Sequence, residues 1–233
     1  MGDGEEGEKA LRHSDAKGLS VGETILITGA AKRIGRQLAL DLADAGHDIV
    51  IHCNTSRSEA EGVAGLILGK GRRVAVVQGD LAHSGVAERL IHDAVKVLGP
   101  VTVLINNASL FEPDEVGEIT QASWTAHQDT NLRAPVMLSQ AFARQLPAGR
   151  HGNIINIIDQ RVWKLNPRFF SYTMSKTGLW TATRTLAQAL APRIRVNAIG
   201  PGFVVPPLTQ HWADSAEFRA AFFAQNISGR AAQ

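Results

Sequence analysis

Tyr172 is the only tyrosine among 233 residues, and Lys176 follows it by four. On a helix that spacing puts both side chains on one face, where an ammonium can stabilise a phenolate and draw the phenol's pKa toward neutrality, as a proton donor needs. The same pair also describes a surface lysine beside a half-buried tyrosine, so its weight depends on its surroundings. A second chemical signal is TILITGAAKRIGRQLALDLADAG, in which an apolar strand runs into a glycine-containing turn and then an amphipathic helix. Gly29 and Gly35 let backbone approach a pyrophosphate there. The free amides and positive dipole end of the helix that opens at Lys32, Arg33, Ile34 and Gly35 converge on it. Many strand–helix turns use glycine merely to turn, and the glycine pair alone does not separate the two uses.

Both signals need a frame. From Thr24 onward short β-branched runs alternate with longer stretches of helical period, the pattern of a parallel sheet with helical crossovers. Strands are expected at about 24–28, 47–53, 72–79, 100–106, 152–158 and 193–199. Helices are expected at about 33–45, 57–69, 84–98, 121–145, 171–191 and 213–226. The second strand ends in IVIHCNTSR. A cofactor with a free ribose 2′-hydroxyl wants an acidic residue at that end, and Asp48 lies too early. Asn54, Thr55, Ser56 and Arg57, with Lys32 and Arg33, instead offer donors and charge suited to a 2′-phosphate, which favours NADP(H) over NAD(H). An ordinary polar loop is the other reading.

With 44% hydrophobic and 20% charged residues the chain can fill a core and wet a surface. Residues 1–22, rich in Gly, Glu, Lys and Ser, are expected to form a disordered tail, with one domain over 23–233. A net charge of +2 from 24 basic and 22 acidic residues leaves no basic stripe for nucleic acid. No apolar run approaches the ~18 residues of a membrane span. A lone Cys53 and an acidic, non-apolar start point to the cytoplasm. Eight histidines without an i, i+4 pair argue against a metal site.

Taken together, residues 24–210 resemble the short-chain dehydrogenases/reductases. The resemblance implies a single Rossmann-like, doubly wound α/β fold: a parallel sheet of order 3-2-1-4-5-6 with helices on both faces. It makes Thr28, Gly29 and Gly35 the cofactor turn, and Asp80 and Leu81 the surroundings of the adenine. Asn106, Asn107, Ala108 and Ser109 match the Asn-Asn-Ala-Gly segment beside ribose and nicotinamide, with Ser109 in place of glycine. It makes Asn131 the support of a proton relay, Tyr172 and Lys176 the catalytic pair, and Pro201 and Gly202 the loop that holds the nicotinamide. It also implies a homo-oligomer, dimer or tetramer. Family members usually continue past a segment like NISGRAAQ into a further helix and a seventh strand, so the domain is expected to be short at its C-terminus and to lack that strand.

Two departures narrow the resemblance. Arg33 replaces the middle glycine of the usual turn, and Asp159 stands 13 residues before Tyr172, where the family has a serine. With Ser109 and Phe111 in NNASLF, these changes resemble the pteridine reductase and dihydromonapterin reductase branch. There the arginine faces cofactor phosphate and substrate, the phenylalanine stacks on the pterin, and the aspartate joins the tyrosine in proton delivery. Physics points the same way. A carboxylate repels the oxyanion of a ketone reduction, whereas a C=N reduction needs a proton on nitrogen. The expected substrate pocket comprises Arg33, Ser109, Phe111, Asp159, Trp163 and Tyr172, with ring substituents read by the loop from Phe203 to Trp212. Phe111 as core packing and Asp159 as a helix cap are the plainer alternatives. Three functions stay open: an NADPH-dependent pterin or dihydropterin reductase, a reductase of a carbonyl or other cyclic substrate, and a nucleotide-binding protein without catalysis.

Overall fold

Six β-branched runs form the strands β1 (Thr24–Ile27), β2 (Asp48–Cys53), β3 (Val74–Gln78), β4 (Val103–Asn106), β5 (Gly152–Ile157) and β6 (Ile194–Ile199). The helices are α1 (Arg33–Asp44), α2 (Arg57–Gly69), α3 (Val86–Leu98), α4 (Gln121–Gln128), α5 (Ala134–Gln145) and α6 (Phe170–Leu190). The computed structural model describes residues 22–202. Residues 1–21 of the expected tail over 1–22, the loop from Phe203 to Trp212, the helix near 213–226 and the question of a seventh strand lie outside the described residues.

Every strand pairing is parallel, in the order β3-β2-β1-β4-β5-β6. Side chains alternate across the pleat, so β1 sends Leu26 to one face and Ile25 and Ile27 to the other. On the first face Leu26, Val50 and Leu104 pack with Leu90 and Ile91 of α3 and Leu138 and Phe142 of α5. On the second, Ile25, Ile49 and Ile51 pack with Ala39 of α1 and Val63 and Ile67 of α2. Cover on both faces explains why β1, β2 and β4 are buried end to end.

The expected single helix over 121–145 is divided by a π-helical turn, Asp129–Arg133. Pro135 is the physical reason. It has no N–H for the carbonyl of Asn131, four residues earlier, and its ring crowds that carbonyl in a regular α-helix. The wider turn relieves the crowding and turns Asn131 fully into the interior.

Strand order reverses between β1 and β4, and the crevice beyond their carboxyl ends is where an open α/β sheet admits a ligand. Gly29 and Ala108 face each other across it, so close that a Cβ on Gly29 would lie 3.0 Å from the Ala108 Cα. Among the described residues no helix is long and apolar enough to cross a membrane.

Asp48 sits at the opposite end of the sheet. Its carboxylate accepts from Arg72 at 2.8 Å, from the Arg73 side chain at 2.8 Å and from the Arg73 amide at 3.0 Å. Burial opposes its ionisation, but the Arg73 and Arg72 bonds outweigh burial and hold the carboxyl below its ordinary value. A lowered folded pKa stabilises the fold above the unfolded value of 3.8, and that contribution is lost as pH falls through the folded value. Asp48→Asn should therefore cost about 2 kcal/mol in denaturant unfolding at pH 7, with the gap from the parent closing in acid.

Candidate active site

The turn after β1 is laced to the segment after β4. The Thr28 hydroxyl accepts from the amides of Asn107 and Ala108 at 2.9 and 3.0 Å, and the Asn107 side-chain amide donates to the carbonyls of Thr28 and Gly29 at 2.8 and 3.2 Å. Gly35 packs against this lacing: a Cβ there would collide with the Gly29 carbonyl and stand 2.6 Å from the Asn107 amide. Arg33, which stands where the family pattern has glycine, adopts φ 50, the left-handed region that glycine favours. Such backbone in a non-glycine residue costs about 1–2 kcal/mol. The bare glycine, the opening turn of α1 and the neighbouring cations together fit a phosphate group.

The cations beside this turn are partly engaged. Lys32 pairs with Glu59 at 2.7 Å and Arg57 with Glu61 at 2.7 Å, so an incoming anion competes with two carboxylates of α2. Arg33 lines a groove of about 560 Å³ between α1 and α2 with Lys32, Arg36, Glu59 and Val63. Arg33 thus stands on the phosphate side, among the cations at the start of α1. Asn54, Thr55 and Ser56 follow β2 at the same edge of the sheet, and the Asn54 carbonyl accepts from Gln78 at 2.7 Å. After β3, Asp80 accepts from the Ala82 amide at 2.9 Å, and Leu81 is buried.

On the far side of Ala108, α6 carries Tyr172 and Lys176, both buried. The Tyr172 hydroxyl donates to Asp159 Oδ2 at 2.8 Å. Asp159 follows β5 and caps a short 3₁₀ turn, its Oδ1 accepting from the Arg161 amide at 2.8 Å. One carboxylate oxygen thus meets the phenol while the other caps the turn. Burial raises the Tyr172 pKa well above its ordinary value; the Asp159 charge and hydrogen bond add to this, while Arg161 and a Ser109 hydrogen bond oppose it. This corrects the expectation that Lys176 draws the phenol down. The Lys176 ammonium donates to the Ile157 carbonyl at 2.8 Å and lies 5.8 Å from the centre of the Tyr172 ring. Burial lowers the lysine itself to about 8, against the pull of Asp159.

Phe111 is half exposed, so it is not the core residue of the plainer reading. One face stacks on Phe169 at 4.5 Å and 6°, and Tyr172 meets it edge-on at 4.7 Å. Arg161 lies 5.1 and 4.8 Å from the two phenylalanine centroids and 3.5 Å from Asp159. The Trp163 ring packs edge-on against Trp180 at 5.6 Å and covers Gly200, just before Pro201 and Gly202. Pro201 accepts from the Gln160 amide at 3.3 Å, which brings it beside the 3₁₀ turn after Asp159, and Gly202 follows at the limit of the described residues.

Asn131 does not reach the phenol or Lys176. Its side-chain amide donates to the Leu110 carbonyl at 2.9 Å and to Ser175 at 3.0 Å, and its oxygen accepts from the Leu110 amide at 2.8 Å. With both hydrogens occupied, its side chain clamps the segment between Ser109 and Phe111. Three residues that no motif marks, Asp114, Arg161 and Phe169, complete the site. Buried Asp114 accepts from the Ser171 amide and the Ser123 hydroxyl at 2.9 Å each, and its carbonyl accepts from Phe170 at 3.0 Å. It thereby fastens the Phe111 segment to the start of α6. Their only linear signal is proximity to residues already singled out: Asp114 three after Phe111, Arg161 two after Asp159, Phe169 three before Tyr172.

Comparison with known proteins places this geometry in company. The short chain dehydrogenase family model matches residues 23–217. A 3-oxoacyl-[acyl-carrier-protein] reductase, FabG, of Staphylococcus epidermidis is 33% identical over 193 residues, 82% of this chain and 79% of its own length. The crystal structure of FolM alternative dihydrofolate reductase 1 from Brucella canis, complexed with NADP, superimposes with TM-score 0.80 at 46% identity, covering 90% of this chain and 81% of that one. The Brucella suis FolM structure, also with NADP, gives 0.77 at 45% identity, covering 88% and 90%.

Because Tyr172 is the sole tyrosine, ultraviolet absorbance of tyrosinate reads it alone. A raised folded pKa stabilises the fold below the unfolded value of 10.0 and is lost as pH rises through the folded value. No tyrosinate should form through pH 10 until the protein unfolds, and Asp159→Asn should bring the midpoint down; a parent midpoint at or below 10 would refute this account of the site. Arg33→Gly, by releasing left-handed strain, should raise stability by up to about 1 kcal/mol in thermal unfolding while weakening dinucleotide binding.

Proposed function

This chain belongs to the short-chain dehydrogenase family and is an oxidoreductase, and from that premise we propose that it uses NADPH to reduce a pterin or dihydropterin ring. The observation that carries the reading is the Tyr172–Asp159 hydrogen bond beside the half-exposed face of Phe111. The Brucella FolM structures, each with NADP, support the choice of cofactor and substrate class.

NADPH, when bound, supplies a hydride to an electrophilic ring carbon. The turn from Gly29 to Gly35 would hold its pyrophosphate, and Lys32, Arg33 and the Asn54–Arg57 segment its 2′-phosphate. Asp80 and Leu81 would border the adenine; Asn107, Ala108, Ser109, Lys176, Pro201 and Gly202 would border the ribose and nicotinamide. Phe111 offers a flat apolar face on which a fused heteroaromatic ring stacks, with Phe169 backing it. Arg161, beside both rings, lends its charge to the same wall and to Asp159.

Reduction of a C=N bond adds one hydride to carbon and one proton to nitrogen. Tyr172 retains its proton across the working range and presents it next to a carboxyl group. Asp159 is open to solvent on one side and can take a proton from water, so the pair can restore what it delivers to a ring nitrogen. Arg161 steadies the carboxylate afterwards. Asp159 acts here as an acceptor from the phenol and from Arg161. An oxyanion forming at that place would meet negative charge, which disfavours a simple ketone.

The FabG relative favours a second reading, reduction of a 3-oxoacyl thioester. NADPH oxidation by the purified chain with biopterin, dihydrobiopterin, dihydrofolate, small ketones and an acyl thioester separates the two. Turnover of pterins and indifference to the thioester is the expected result, and the reverse pattern would replace the proposal. Thermal stabilisation by NADPH with no substrate turned over would mark a nucleotide-binding protein without catalysis. Tyr172→Phe should lower pterin turnover by at least ~10²-fold; near-normal turnover would remove the phenol from the chemistry.

A further inference from the structure

His52 lies within β2, 1% exposed, where its place in a strand gives it no evident role. Its ring nonetheless joins two loops far apart in sequence. Nδ1 accepts from the Gly29 amide at 3.2 Å, and Nε2 faces the Gly79 carbonyl at 2.9 Å. A carbonyl only accepts and an amide only donates, so the ring is neutral with its hydrogen on Nε2. The His52 carbonyl also accepts from the Ala30 amide at 3.0 Å, and that of Cys53 from the Gly79 amide at 3.0 Å. One residue thus ties the first two amides of the glycine turn to β2, and its ring reaches on to the end of β3, just before Asp80 and Leu81.

We propose that His52 is a positioning residue for the dinucleotide: it fixes the spacing between the phosphate turn and the end of β3, and touches the cofactor itself nowhere. The inference rests on the NADP(H) reading above. Because Gly29 and Ala30 direct their amides to residue 52, anion binding falls to the amides that follow, Ala31 to Gly35. Burial favours the neutral ring that this bridge requires. It lowers the His52 pKa, an effect that the Gly79 bond and the Asp80 charge oppose and the Arg89 charge reinforces. Without the ring, the Gly29 amide and Gly79 carbonyl lose their partners, and the turn is free to rotate the Gly29 amide toward other acceptors.

The test uses the purified chain and nicotinamide fluorescence to measure NADPH Kd, with thermal unfolding and steady-state kinetics alongside. Asn places an acceptor near the Nδ1 position, Gln places a donor near the Nε2 position, and Leu offers neither. His52→Leu should weaken NADPH binding at least about tenfold. His52→Asn should recover most of that loss and His52→Gln less, and KM for NADPH should rise far more than kcat falls. A Kd shared by the parent, Leu and Asn proteins would overturn the inference. So would an Asn protein that binds no better than the Leu protein, since the ring would then matter only for packing. Where the Leu protein does not fold, a Gln protein binding as tightly as the Asn protein overturns it instead. If the parent itself fails to bind NADPH, the cofactor reading falls, and this inference with it.

Discussion

Burial and a neighbouring carboxylate act in the same direction on Tyr172, and the 2.8 Å bond between its hydroxyl and Asp159 joins the two effects. A phenol in that setting keeps its proton well past its ordinary pKa. Arg161 and a Ser109 hydrogen bond oppose that state without overturning it. The Lys176 ammonium is turned to a backbone carbonyl at the end of β5, and Arg161 accompanies the carboxylate. The groups around the phenol thus set its protonation state through burial and charge together.

The frame that brings these groups together is made of tight local agreements. Pro135 forces the π-turn, the π-turn buries Asn131, and Asn131 grips both backbone groups of Leu110. That grip fixes Ser109 on one side and Phe111 on the other. Asp114 then fastens the same segment to the N-terminal turn of α6, so that Phe111 and Tyr172 meet at a set angle. Such contacts do no chemistry, yet a shift of an ångström in any of them would move the aromatic wall relative to the acid.

The phosphate side shows the complementary arrangement, in which strain is tolerated where a ligand is expected. Arg33 holds a backbone conformation natural to glycine, and Gly35 leaves no room for a side chain beneath Gly29 and Asn107. Lys32 and Arg57 are held by carboxylates of α2. Their charge is thereby partly balanced by Glu59 and Glu61.

Much of the frame is legible in the chain itself. The alternation of strand and helix, the glycine turn and the Tyr172–Lys176 spacing are local properties, encoded by periodicity and residue type, and the six described strands lie where that periodicity puts them. The register of Asp159 with Tyr172 is equally visible, as a count of 13. What linear spacing does not carry is partnership. It places Lys176 on the phenol, whereas burial gives the ammonium to Ile157. His52, Asp114, Arg161 and Phe169 carry no linear signal of their own, because each acts through groups that only packing brings near, in several cases from more than 20 residues away. Periodicity dictates which face of an element is apolar. Which polar atom finds which partner is settled only when the interior closes and every buried donor must find an acceptor.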